Sequence, residues 1–306
     1  MQPSGPERDD FNGGRMIQLA AYTDSMLRQI VSLHRDDSGI LPETMDAKAS
    51  WLAGGPWMHE AIARRHFGLL GIAGGRATVA LDGDFVCGEI EVEPDDSGRL
   101  YLSQLMVSPK WRGKGIGRLL VENEIRLAVG KGEPLVVLPE VSAQPFYRKL
   151  GFSLLETKYR VALVVDDFEP VYEPCIERDF TDDANSLFDG RMIFGQNQPA
   201  GHYRISLPLR SELDFLRRDQ RPILFAANHG SESVSICLFR SPGADLGAFH
   251  CMAWGSSDDE YAIRAAATAV RYLGGEEFQT YVSANQLDRW GLTALDEEPL
   301  WVYPAN

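Results

Sequence analysis

The stretch that most constrains this chain is "LMVSPKWRGKGIGRLL", residues 105–120, where an apolar run meets a proline and three closely spaced glycines. A helix-like pattern follows at once. One glycine is enough to turn a strand into a helix, so Gly113, Gly115 and Gly117 ask for bare backbone near a ligand. A helix N-terminus presents unpaired N–H groups and a positive partial charge, and glycines let a large anion reach them. Arg112 to Gly117 is therefore suited to hold a pyrophosphate. A Rossmann loop would need Gly-x-Gly-x-x-Gly after the first strand of a βαβ unit, and a Walker A loop would need Ser or Thr after Gly-Lys. Neither spacing fits.

The surroundings of the loop define its fold. "RMIQLAAY", "ATVALD", "FVCGEIEVE" and "RLYLSQLMV" read as strands, with helix-like "SMLRQIVSLHRD" and "PWMHEAIARRHFGLL" after the first. After the loop, Ile116, Leu119, Leu120 and Leu127 form the stripe of an amphipathic helix that stops at "GKGEP". Then come the strand "LVVLPEV", the short helix "SAQPFYRKLG" and the strand "FSLLETKYRVALVV". The order β-α-α-β-β-β-α-β-α-β predicts an α+β domain, a mixed α/β sandwich with a mostly antiparallel sheet flanked by helices.

Acid and proline residues in "DDFEPVYEPC" suggest a boundary, giving domains at 1–168 and 169–306. At 306 residues, a prior of roughly 150 residues per domain also gives about two. The second half echoes the first, since "DEYAIRAAATAVRYLGG", "FQTYVS" and "NQLDRWGL" align with the helix, strand and "FYRKLGF" of the first. Its helix opens at "GSSDDEYA", where Ser256 or Ser257 precedes Asp258, Asp259 and Glu260. Those carboxylates suit a helix start but repel a second anion.

The net charge of −14 disfavours a nucleic-acid partner. No apolar run approaches the ~20 residues of a membrane helix, and the opening "MQPSGPERDDFNGGR" lacks the features of an export signal, so the expected location is the cytoplasm. Cys87, Cys175, Cys237 and Cys251 are far apart and point to neither a metal site nor a disulfide.

The loop fits Arg-x-x-Gly-x-Gly through Arg112, Gly115 and Gly117, preceded by "VSP". Together with Ala143, Phe146, Tyr147, Lys149, Gly151 and Phe152 downstream, it resembles the GNAT superfamily of acyl-CoA-dependent N-acyltransferases over most of residues 15–165. The resemblance implies two tandem GNAT-like domains, the first with an acetyl-CoA site and the second degenerate. It implies that the backbone of Leu105, Met106 and Val107 pairs with the pantetheine arm. N–H groups of Arg112, Gly113, Lys114, Gly115, Ile116, Gly117 and Arg118 would hold the pyrophosphate. One departure stands out: where many members have Asn seven residues before the Tyr, this chain has Glu140.

For chemistry, thioester aminolysis benefits from a base for the amine and an acid for the leaving thiolate. Tyr147 is the acid candidate by resemblance, with core packing as the competing role. Alternation places Glu89, Glu91 and Glu93 on the face opposite Val86, Ile90 and Val92, and Glu89 or Glu91 is a candidate base, though a solvated sheet face is commoner. His34, His59 and His66 fall in the helix-rich region that lines the acceptor site of related enzymes, where surface or capped core histidines are the commoner outcome. The expected function is acetyl transfer from acetyl-CoA to a small-molecule amine by direct attack. The alternatives are a non-catalytic acyl-CoA-binding module and use of a longer acyl-CoA. A homodimer stays open.

Overall fold

In the computed structural model, residues 16–39, 45–95, 98–171, 176–178, 191–195, 200–240 and 248–305 are described; the opening to Arg15 and Cys175 lie outside them. The first half runs β1 (Gln18–Ala21), α1 (Leu27–Ser38), α2 (Ala47–Gly54), α3 (Glu60–Ile72), β2 (Arg76–Asp82), β3 (Phe85–Pro94), β4 (Leu100–Val107), α4 (Ile116–Lys131), β5 (Leu135–Val137), α5 (Gln144–Lys149) and β6 (Ser153–Val164). The second runs β7 (Ile176–Arg178), β8 (Arg191–Phe194), α6 (Ala200–Ser211), β9 (Ile223–His229), β10 (Glu232–Phe239), β11 (Phe249–Gly255), α7 (Asp259–Tyr272), β12 (Glu277–Ser283), α8 (Ala284–Trp290) and β13 (Asp296–Tyr303). The mixed, mostly antiparallel sheet flanked by helices is as expected; α2, β7, β8 and α6 were not foreseen.

All but one of the described strands lie along one continuous path, β1-β2-β3-β4-β5-β13-β6-β12-β11-β10-β9-β7, with β8 joined to β11 off it. The two halves trade their last strands. β13 pairs with β5 (Trp301↔Val137) and with β6, and β6 in turn pairs with β12 (Val161↔Thr280). The expected boundary at residue 168 therefore follows β6 in sequence, while the sheet crosses it three times, between β5 and β13, β13 and β6, and β6 and β12.

Under α4, Ile90, Val92, Leu102 and Leu120 build one core; on the opposite sheet face α1, α3 and α6 bury Leu27, Val79, Phe67 and Ile205 in another. The third core lies beneath α7, whose Ala262, Ala265, Ala266 and Ala269 let the helix approach β10 to β12 closely. Two details differ from the sequence pattern. The buried stripe of α4 is Ile116, Leu120, Val121, Glu124 and Ala128, while Leu119 and Leu127 are 37% and 40% exposed. The groove accepts a carboxylate there, because Glu124 takes hydrogen bonds from Arg76 Nη2 (2.5 Å) and Thr78 Oγ1 (2.9 Å). On β3, a bulge opposite Ala80 and Leu81 skips Cys87, so Val86 packs on the glutamate face rather than opposite it.

Candidate functional site

β4 and β5 pair in parallel only from Leu100↔Leu135 to Leu102↔Val137. The expected strand "LVVLPEV" thus ends after three residues, and this early end opens the site. Beyond it β4 continues from Ser103 to Val107, paired with β3 on its other edge. A bulge at Ser103, between Glu91↔Gln104 and Val92↔Leu102, bends β4 where the strands part. The result is a cleft of about 1060 Å³ reaching from Tyr101 past Leu105, Met106 and Val107 to Gly117 and across to Tyr147.

At the cleft's far end, α4 begins without a side-chain cap, and its N-cap Gly115 has φ 80°. Gly113 has φ 75°, with nothing within 4 Å of the position its Cβ would take. Both conformations are ones that side-chain-bearing residues rarely adopt. The first-turn N–H groups of α4 have no intrahelical acceptor. Arg112 fixes this loop: its Nε donates to Val107 O (3.1 Å), and its Nη2 pairs with Asp37 at the end of α1. The Lys114 ammonium lies 4.5 Å from the Trp111 ring centroid, and Arg118 pairs with Glu122. The charged side chains are thus turned to protein partners, and the backbone is what the loop offers an anion. Ile116 is buried beneath the helix.

Tyr147 on α5 lines the cleft and packs edge-on against Phe146 and Phe152. Burial pushes its phenol above the ordinary range, so it stays protonated. Glu140 lies on the cleft rim.

The face of β3 that was expected to be solvated is closed. Glu89, Glu91 and Glu93 are each 0% exposed, because α1, α3 and α6 cover them. Carboxylates so buried need partners, and each helix supplies one. His34 of α1 pairs with Glu89 Oε1, and His66 Nε2 of α3 donates to Glu91 Oε2 at 2.7 Å. His202 Nδ1 of α6 lies 3.4 Å from Glu93 Oε1. Trp57 Nε1 donates to Glu91 Oε1 at 2.6 Å and its ring stacks on His34. His59 instead occupies the N-cap position of α3, makes no side-chain cap hydrogen bond there, and does not join.

Electrostatics separates the two base candidates. Burial raises the Glu89 carboxyl above its ordinary value against the pull of His34, and its Oε2 is buried without a hydrogen bond. Burial opposes charge at Glu91 too, but the charge and hydrogen bond of His66, with the bond from Trp57, hold it low. His66 is raised: burial works against its charge and the three glutamates outweigh it. Glu91 and His66 form a committed ion pair, whereas Glu89 keeps proton affinity. Glu89 sits opposite Met106, a wall of the cleft. His202 and Trp57 carried no sequence signal, since their partners are set only by packing.

The second half repeats the parting of strands and fills it. β11 and β12 pair in parallel at Phe249↔Phe278 and His250↔Gln279, then separate. β8 enters the gap, with Phe194 opposite Ala253 and Gly195 N donating to Tyr281 O at 2.9 Å. Gln286 of α8 holds it through Ile193 O (2.9 Å). The cap of α7 is Asp258, rather than Ser256 or Ser257, and accepts from Tyr261 N at 2.6 Å. Ser256 N and Ser257 N both donate to Ser233 O. At the place of Tyr147, counted from the helix-ending glycines Gly151 and Gly291, stands Leu287.

Residues 73–154 match the family model of the acetyltransferase (GNAT) domain. Nearly the whole chain superposes on solved structures. A GCN5-related N-acetyltransferase from Kribbella flavida is similar at TM-score 0.61 and 16% identity, over 95% of this chain and 71% of that one. One from Anabaena variabilis is similar at 0.63 and 10%, over 95% and 73%. A tandem GNAT protein from the clavulanic acid biosynthesis pathway is similar at 0.51 and 14%, over 95% and 99%. No curated protein matches by sequence. Residues 73–154 thus match a GNAT acetyltransferase domain, and nearly the whole chain shares the fold of these structures, the tandem one among them. No described helix is long and apolar enough to cross a membrane.

Proposed function

We propose that residues 1–168 form an acyl-CoA-dependent N-acyltransferase that moves acetyl from acetyl-CoA to the amine of a small molecule by direct attack in a ternary complex. The observation that carries this reading is the open edge of β4 leading into the uncapped, glycine-lined start of α4. An extended amide-bearing arm adds to a strand edge, and a pyrophosphate meets helix N–H groups. A Cβ at Gly117 would lie 3.6 Å from Val107 and 3.8 Å from Phe146, so the bare backbone there leaves the passage clear. Leu105, Met106 and Val107 would hold the arm, and the backbone from Arg112 to Arg118 the pyrophosphate.

Acetyl-CoA supplies the activated thioester. Glu89 receives the amine's proton through water as the C–N bond forms, and the Tyr147 phenol gives a proton to the sulfur as the C–S bond breaks. Glu91 positions His66 and Trp57 rather than exchanging protons. Residues 169–306 serve as a support in which β8 takes the place of a pantetheine arm and Asp258 that of a phosphate. Amine-dependent release of free CoA thiol, measured over a panel of small amines, tests the assignment. Binding of acetyl-CoA with no release for any amine would favour the non-catalytic module instead.

A further inference from the structure

A second cavity of about 320 Å³ lies on the face of β10 to β12 covered by α6, with Trp51 of α2 at its side. That size is at the low end of the ~300–1,000 Å³ typical of small-molecule sites. Its walls are flat and apolar, with Trp51, Phe239 and Leu207 among them. Its polar groups include Arg210, Gln279, Ser206 and Thr280.

Arg210 reaches into it from α6. Its Nε donates to Gln220 O and its Nη2 to Arg240 O, both at 2.8 Å, and the guanidinium lies 4.4 Å from the Phe239 ring centroid. Among the described residues no carboxylate pairs with it. Burial lowers its pKa to about 10, leaving it charged at neutral pH. Gln279 accepts from Arg160 Nη1 (3.3 Å), which leaves its amide N–H₂ to donate. Among the described residues, Asp296 pairs with Arg160 and Glu93 contacts His202, while the charge of Glu298 is felt at Tyr203 on the cavity wall. The neighbouring His250 is held below its ordinary value by burial and then by the charges of Arg210 and Arg160, a sign of positive potential in the cavity.

The geometry points to a binding site for a small carboxylate with a flat apolar body, its charge on Arg210 and Gln279 and its body between Trp51 and Phe239. A half-buried guanidinium with no carboxylate partner among the described residues is costly, and a bound carboxylate offsets that cost. The site is separate from the β4–β5 cleft and does not depend on acyl transfer. His202 lines it and also contacts Glu93, so it adjoins the glutamate row of the first half.

Three probes of one size and different charge test the site by calorimetry on the full chain: benzoate, benzamide and benzylamine. Benzoate is expected to bind one per chain, at least tenfold tighter than benzamide, with no binding of benzylamine. Arg210→Gln should weaken benzoate at least tenfold. Because that change also releases two carbonyls, Ser206→Phe, which fills the cavity and keeps Arg210, should abolish binding with the unfolding transition retained. Failure of benzoate to bind, binding that persists in Ser206→Phe, or equal affinity for benzamide would overturn the proposal. So would displacement of benzoate by acetyl-CoA, which would locate it in the other cleft.

Discussion

His66 Nε2 lies 2.7 Å from Glu91 Oε2, and both side chains are buried. The raised pKa of His66 means its contribution to stability is full below about pH 6.5 and fades as pH rises through the folded value. The lowered pKa of Glu91 means its contribution is present above about pH 4.5 and fades as pH falls through the folded value. The pair is therefore most stabilising between about pH 4.5 and 6.5. His66→Gln should cost about 3 kcal/mol at about pH 5.5, as for other broken buried pairs, and less at about pH 9, read from urea unfolding of both proteins. A cost that grows with pH would contradict the ion pair.

Tyr147 has no hydrogen-bond partner among the described residues, and burial keeps its phenol protonated. Tyr147→Phe keeps the packing on Phe146 and Phe152 but removes the proton. The turnover rate should fall about 10²-fold or more, while acetyl-CoA affinity changes less than about threefold. An unchanged rate in steady-state thiol release would remove Tyr147 from the chemistry.

Because β13 stands between β5 and β6, neither half completes its sheet alone. A chain ending after Phe168 would leave the inner edges of both strands unpaired, an aggregation-prone state. It should show no cooperative unfolding in circular dichroism and should associate in solution. A monomeric, cooperatively folding first half would show that the exchange is dispensable.

The glycine loop was legible in sequence because the left-handed backbone of Gly113 and Gly115 is one that few other residues adopt. Apart from α2, the order of elements in the first half followed from apolar periodicity. The alternation of Glu89, Glu91 and Glu93 was legible as well, but their burial was not, since part of the cover comes from His202 on α6, 109 residues further on. The strand exchange was hidden for a similar reason: the choice of β5 and β6 as neighbours of β13 is made by long-range packing. Leu119 and Leu127 misled because periodicity cannot foresee a groove in which Arg76 and Thr78 hold Glu124.

The central claim is that the chain has one acyl-CoA site, in the β4–β5 cleft, and that β8 fills the corresponding gap in the second half. Calorimetric titration of acetyl-CoA into the wild type and a Gly115→Asp, Gly117→Asp double variant tests it most directly. The account predicts one site per chain, lost in a variant that still unfolds cooperatively. Two sites would mean that β8 yields its place, and no binding would contradict the acyltransferase assignment itself.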